Sequence, residues 1–308
     1  MELPPQLRAL RDFYYKTARA LPPERDFVHA PALIQEPTFF TVAHLKQHLN
    51  NPMLMPCYFT LVWQGKRVDC SGAVGTKNVQ GVEVAFLNKS ILEDHLSRGA
   101  SMVLEGVDLL DPAINELCAA IDAVNECVFC NSVVFFSQKG SEAYRGHRDA
   151  DDVLVIHLAG QKKWRLYERQ PPRQVELTEL APEKLGRQQA ELVMNPGDAL
   201  YLRSCTPHQV ETSGEHSLHM SFDIVDRHLN AETALELLLD EYKKDSAPCY
   251  TPADGVLQKL VAHTAGGGYQ ARVAELQAVH KENYARARKF FGANRVRALD
   301  RWLPSTSR

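Results

Sequence analysis

Apolar positions along the chain recur with helical spacing at both ends and with strand spacing between. In residues 5–21, Leu7, Leu10, Tyr14, Ala18 and Leu21 fall on roughly one helical face, and Pro22-Pro23 ends it. A short helix is predicted from Thr41, a residue suited to an N-cap, to Leu49, ahead of Asn50-Asn51-Pro52. From Cys57 to Val74 the pattern turns to strand, with Tyr58 to Trp63, a Gln64-Gly65 turn and then Arg67-Val68-Asp69. Leu87 to Arg98 returns to helix with Asn88 or Ser90 near its start, Met102 to Leu104 is extended, and Asp111-Pro112 caps a helix to about Asn125.

From Cys127 to Ile224 the chain is strand-rich. Val128-Phe129, Ser132–Phe136, Val153–Leu158, Trp164–Tyr167, Ala199–Leu202 and Leu218–Ile224 are separated by turn-forming clusters. Short strands joined by hairpins predict an antiparallel barrel or sandwich, so the fold class is mainly β with flanking helices. After Asp226 the spacing is helical again, over 231–244 and 272–303, with Gly266-Gly267-Gly268 as the clearest linker. The predicted division is therefore a β-rich domain with N-terminal helices over 1–228 and a helical C-terminal region over 229–308.

Composition changes this picture little. Hydrophobic content of 44% and charged content of 24% are ordinary for a globular chain, and a net charge of −3 predicts no general attraction to nucleic acid or membrane. No apolar run is long enough for a membrane span, and Met-Glu-Leu-Pro-Pro lacks the features of a signal peptide. Seven cysteines without framework spacing suit reduced cytoplasmic thiols.

The candidate chemistry gathers around His147-Arg-Asp149. Residues two apart on a strand share a face, so this pair offers an imidazole and a carboxylate together. His208 lies beyond an Asn195-Pro-Gly-Asp198 turn that feeds a strand back towards His147, and it supplies the third ligand of a two-His, one-carboxylate site for non-haem Fe(II). Three open positions remain on such an ion, enough for a bidentate 2-oxo acid and then dioxygen. Lys162, after the Gly160-Gln161 turn, is placed to hold the far carboxylate of that co-substrate. Tyr144 offers a hydroxyl to the same carboxylate, and Ser221 one to the chelating end.

Other features have plainer readings. His157, His216 and His219 are read as structural, although His219 shares strand parity with Ser221; Asp151 and Asp152 are read as solvent-facing turn residues. Cys127-Val-Phe-Cys130 has no second pair, and on a strand its thiols face opposite sides. The last 38 residues carry nine Lys or Arg against three acidic residues. That surplus offers a contact to RNA or a ribosome, but a solvated helical face is the expected reading. Phe290, Phe291 and Trp302 are read as core or dimer contacts.

These motifs resemble the JmjC-type cupin oxygenases, which use Fe(II) and 2-oxoglutarate, with ribosomal oxygenases nearer and the factor-inhibiting-HIF asparaginyl hydroxylase more distant. The resemblance is carried by His147-Arg-Asp149, Gly160-Gln-Lys162-Lys-Trp164-Arg-Leu-Tyr167, Asn195-Pro-Gly-Asp198-Ala-Leu-Tyr201, His208 and Ser217-Leu-His-Met-Ser221, and it spans roughly residues 10–228. In that family a Lys fifteen residues after the first metal-binding His binds the distal carboxylate of 2-oxoglutarate, the place Lys162 occupies. The resemblance implies a double-stranded β-helix, a distorted jelly roll, with a helical C-terminal segment that dimerises. The family's usual Gln before the turn is His157 here, and the aromatic pair before its second metal-binding His is Thr206-Pro207.

The expected activity is hydroxylation of an amino-acid side chain in a peptide or protein, with Fe(II), 2-oxoglutarate and dioxygen. Asp149 favours hydroxylation, because halogenases replace this carboxylate to admit chloride; demethylation uses the same chemistry and stays open. The competing readings are a hydroxylase of a free amino acid or small natural-product scaffold, a metal-binding cupin without oxygenase chemistry, and an RNA- or ribosome-associated binding protein. The expected partners are a peptide, protein or small-molecule substrate and a second copy in a homodimer, with no membrane.

Overall fold

The computed structural model describes residues 3–226 except 52–53, 55, 64, 70, 124–127, 142 and 171–177, together with isolated helical positions between 271 and 282. The expectations for Cys127, the Gly266–Gly268 linker, the helix at 231–244, most of that at 272–303, Phe290, Phe291 and Trp302 lie outside the described residues. No helix among the described residues is long and apolar enough to cross a membrane.

In chain order the elements are α1 (Pro5–Phe13), β1 (Phe27–Ala30), α2 (Val42–Asn50), β2 (Phe59–Trp63), β3 (Lys66–Arg67), β4 (Val74–Val79), β5 (Val82–Leu87), α3 (Lys89–Ser97) and β6 (Ser101–Leu104). There follow α4 (Val107–Leu110), α5 (Pro112–Asp122), β7 (Val128–Gln138), β8 (His147–Arg148), β9 (Asp152–Tyr167), β10 (Thr178–Glu179), β11 (Gln188–Met194), β12 (Ala199–Leu202) and β13 (His208–Asp226). Caps fix the helix starts. Thr41 and His44 close a reciprocal capping box on α2, Asn88 caps α3, and Asp111 accepts from the amides of Ala113 and Ile114 at the start of α5, with Pro112 at its first position. The first helix continues past Phe13 as a π-helical turn over Tyr14–Ala18.

β9 and β13 organise the sheet. The main sheet runs β1-β12-β9-β13-β7-β6-β2-β3, with β11 added beside β9 and β8 bridging β13 and β10. The first half of β9 lies between β12 and the second half of β13, whereas its second half lies between β11 and the start of β13. The change of partner comes at a register shift near Gly160, so both strands serve both walls of a jelly roll.

Alternation along these strands separates two cores. Leu154 and Ile156 of β9, with Met220, Phe222 and Ile224 of β13, pack beneath the helices against Leu7, Leu10, Ile114, Leu117 and Ile121. The opposite faces turn inward, where Val153, Val155, Trp164, Leu166, Met194 and Leu200 fill the interior. The inward face of β13 then carries His219, Ser221 and Asp223 along the open part of that interior.

Several elements differ from the sequence pattern. The two pieces predicted at 128–129 and 132–136 are one strand, β7, paired without a register shift to β13 from Val128 to Gln138; within it the Ser132 amide donates to Asp108 Oδ1 at 3.0 Å, and its Oγ accepts from the Asp108 amide. The β4–β5 hairpin has almost no apolar alternation, and its Gln80-Gly81 turn has both residues at positive φ. Asp152 opens β9 instead of facing solvent, accepting from the Tyr201 hydroxyl and the Ser204 amide.

Candidate active site

His147 and His208 are register partners between β8 and β13, which places their rings side by side with centroids 4.3 Å apart. Asp149 follows β8 and reaches both: its two oxygens lie 3.8 Å from His147 Nε2 and 3.6 Å from His208 Nε2. One ligand atom from each of the three residues falls within 4.8 Å of the others. Second contacts orient both rings. Nδ1 of His147 lies 2.7 Å from the Arg145 carbonyl and Nδ1 of His208 lies 3.1 Å from that of Thr206. A carbonyl only accepts, so each Nδ1 carries hydrogen and a neutral ring keeps its lone pair on Nε2, facing Asp149. Burial, followed by the nearness of His147, brings the His208 pKa down to about 4 and keeps that ring neutral. The donor set, two imidazole Nε2 atoms and a carboxylate with one side open to a cavity, fits a divalent first-row metal.

That cavity, of about 220 Å³, is lined by the three residues and by Lys162, Tyr144 and Ser221. Lys162 is only 2% exposed, and its Nζ lies 3.3 Å from His219 Nδ1. The His219 ring stacks flat on Phe135 at 4.8 Å and meets Trp164 edge-on, while Trp164 stacks on His208 at 5.5 Å. His219 thus lines the site rather than serving only as filler, and its parity with Ser221 was the signal in the sequence. Tyr144 packs edge-on against Phe135 and His147. Burial raises its pKa, and the charges acting on it include Glu105, Asp149 and Asp223. Glu105 and Asp223 also line the cavity, and nothing in their spacing marked them beforehand. His157 is buried on the far side of His219, with Nε2 held by the Gly160 carbonyl at 3.0 Å.

Residues 108–232 match the JmjC domain family. Among curated relatives, bovine (Bos taurus) ribosomal oxygenase 2 is 34% identical over 101 residues, covering 31% of this chain and 22% of that protein. The bifunctional lysine-specific demethylase and histidyl-hydroxylase NO66 of Drosophila mojavensis is 29% identical over 135 residues, covering 42% of this chain and 15% of that protein. The chain thus spans well under a third of the length of these two relatives. The Escherichia coli ribosomal oxygenase YcfD superposes with a TM-score of 0.51 at 16% identity, over 85% of this chain and 66% of that one. A second YcfD structure, in complex with cobalt and succinic acid, gives a TM-score of 0.51 at 15% identity over the same shares of the two chains. The matched segment therefore sits in a jelly roll, and it holds the His147–Asp149–His208 cluster beside the cavity.

Proposed function

We propose that this JmjC protein is an Fe(II)- and 2-oxoglutarate-dependent hydroxylase of an amino-acid side chain in a peptide or protein. The observation that carries this reading is the convergence of His147, Asp149 and His208 within 4.8 Å beside a cavity that also buries the Lys162 ammonium. Ferrous iron held there, with 2-oxoglutarate and dioxygen, supplies C–H hydroxylation and leaves succinate and carbon dioxide. The protein's part is to bind, orient and exclude water. His147 and His208 present Nε2, and the Arg145 and Thr206 carbonyls fix their rings. Lys162 takes the distal carboxylate of the co-substrate through a charge-assisted hydrogen bond in a water-poor wall. His219 stands beside that ammonium, and Tyr144, in the wall of the same cavity, offers its hydroxyl to the same carboxylate. The Ser221 hydroxyl donates to the chelating end.

A cupin that merely binds metal has no use for a buried Lys162 beside its ligands, which disfavours a non-oxygenase reading. The names of the relatives, two oxygenases of ribosomes and a histidyl-hydroxylase, support a protein substrate. We further infer residues 1–228 as the catalytic unit and 229–308 as a helical dimerisation region. The free thiols of Cys57, Cys118, Cys130 and Cys205 support a cytoplasmic setting. The test is succinate release from 2-oxoglutarate in the presence of Fe(II) and dioxygen. Turnover is expected for the wild type and not for His208→Ala; equal release from both would remove the proposal.

A further inference from the structure

The strands that back the metal cavity carry a second cleft on their other face. Successive residues of a strand face opposite ways, and β7 turns Phe135 into the metal cavity but Phe136 away from it. Phe136, with Phe59 of β2 and Met102 of β6, forms the sheet side of a cleft of about 350 Å³. The helices α2 and α3 supply the rest of its apolar lining. Each turns a ridge at helical spacing into it, Leu45 and Leu49 from α2, Leu92 and Leu96 from α3. We propose that this cleft binds an aliphatic carboxylate, an acyl chain of medium length with its ionised head at the mouth.

Depth and rim carry different chemistry. Leu45, Phe59, Leu92 and Met102 are buried, whereas Leu49, Leu96 and Phe136 remain half-buried around the opening. Water in such a cleft faces apolar side chains, so a hydrocarbon chain that displaces it is favoured. At the rim stand Lys46, Lys89 and Glu93, all exposed. Neither ammonium has an ion pair or hydrogen bond among the described residues, although Glu93 lies one helical turn after Lys89. Glu93 is also the one acidic residue among the described residues of the lining, so two positive charges stand against one negative. Lys89 opens α3, and the positive end of that helix adds to the same field. A carboxylate held at this rim meets two free ammonium groups while its chain lies in the apolar depth.

Size separates this ligand from other occupants of an apolar cleft. At ~30 Å³ for each water-sized group the cleft takes roughly twelve non-hydrogen atoms, which is an acyl chain of about eight to ten carbons. Two turns of a docking helix, about 11 Å long and about 10 Å across, fill on the order of 900 Å³ and would stay mostly outside. A cationic amphiphile would set its head against Lys46 and Lys89. The cleft and the metal cavity share no lining residue among those described, so this site stands apart from the hydroxylase reading.

The test is calorimetric titration of the full chain, freed of metal so that no ion can take the carboxylate. Octanoate is compared with 1-octanol and octylammonium, three heads on one chain length, and with butyrate. Octanoate is expected to bind at least ~5-fold more tightly than the alcohol, and octylammonium more weakly than either. Butyrate should bind about 100-fold more weakly than octanoate, since each lost CH₂ costs about fourfold. In Lys46→Gln/Lys89→Gln, which changes two exposed side chains, octanoate should fall to the level of octanol. Failure of octanoate to bind at millimolar concentration overturns the site. Equal binding of the three heads to the wild type overturns it as well, and leaves an apolar surface suited to a protein contact. A head-group preference that survives in the double variant also overturns it, because the carboxylate is then held elsewhere, for instance at Lys162. The wild-type comparison needs no variant, so it decides the matter even if the double variant does not fold.

Discussion

The Lys162 ammonium lies 3.3 Å from Nδ1 of His219, and both side chains are buried in the wall of the cavity. An ammonium only donates, so His219 must keep a lone pair on Nδ1. Burial and the adjacent Lys162 charge enforce this by holding the His219 pKa well below its ordinary value. Phe135 and Trp164 fix the plane of the ring, and the ring in turn aims the ammonium. Substituting Lys162→Met is expected to weaken 2-oxoglutarate binding by about 10–100-fold, the worth of a charge-assisted hydrogen bond. His219→Leu is expected to weaken it by roughly 10-fold with rescue by His219→Gln, which keeps an acceptor. Isothermal titration with 2-oxoglutarate checks both. A Leu variant that binds like the wild type would reduce His219 to packing.

Asp149 bridges the two imidazoles, at 3.8 Å from one and 3.6 Å from the other. Without it the three-residue cluster keeps two imidazole ligands and loses its carboxylate. Loss of an outer-shell partner typically costs 10–100-fold in metal affinity, so loss of this direct ligand in Asp149→Ala should cost at least about 100-fold. Mn(II) binding followed by paramagnetic resonance measures it. An unchanged affinity would mean that the three residues do not act as one ligand set.

How far the sequence reached depends on what kind of order each feature uses. The two histidines and Asp149 were legible because strand parity and one tight turn suffice to bring them together. The helices α2, α3 and α5 were legible from their capping residues, whereas the Gly160-Gln161 turn expected before Lys162 is absent: residues 152–167 form the single strand β9, with a register shift opposite Gly160. Glu105 and Asp223 were not legible, because they reach the wall of one cavity only through β6 and β13 lying on either side of β7, a relation between distant strands that no local pattern encodes. The β11 strand escaped notice for a related reason: most of it is exposed beside β9, so apolar alternation is not required of it. Asp152 was misplaced because a carboxylate at a strand start looks solvated until Tyr201 and Ser204 are known to lie over it.

The half-buried carboxyl of Asp223 makes a prediction about pH. Its folded pKa of about 7 stands above the ordinary 3.8, raised chiefly by burial. Below pH ~4 the group is neutral in folded and unfolded chains alike and has no effect on stability. As pH rises from about 4 to 7 the unfolded chain ionises first, so stability falls; above about 7 the deficit is constant, at most a few kcal/mol. In metal-free protein, Asp223→Asn should therefore raise the melting temperature at pH 8 and leave it nearly unchanged at pH 4. A variant equally stabilised at both values would place the cause in packing, not in charge.

The turn that returns the chain to β12 and then to His208 depends on Gly197. Its φ is +92°, and a Cβ there would stand 1.7 Å from the Ile34 carbonyl oxygen. That close approach exists because the Ile34 amide donates to the Gly197 carbonyl at 3.1 Å, while Asp198 accepts from the amides of Ala32 and Asn195. The turn also clamps β9, since the His157 amide donates to the Asp198 carbonyl and the Gly197 amide to the His157 carbonyl. Gly197→Ala must therefore both adopt an unfavourable φ and push the 32–34 segment away, with backbone on both sides and no flexible side chain to yield. A loss of about 3 kcal/mol or more is expected, which corresponds to roughly 6–12 °C in melting temperature for a domain of this size. Calorimetry supplies the first check, and metal affinity the second. If the turn positions β12 and the segment leading to His208, Gly197→Ala should weaken Mn(II) binding as well as stability, whereas a variant that melts early yet binds metal normally would confine the turn to holding the N-terminal segment in place.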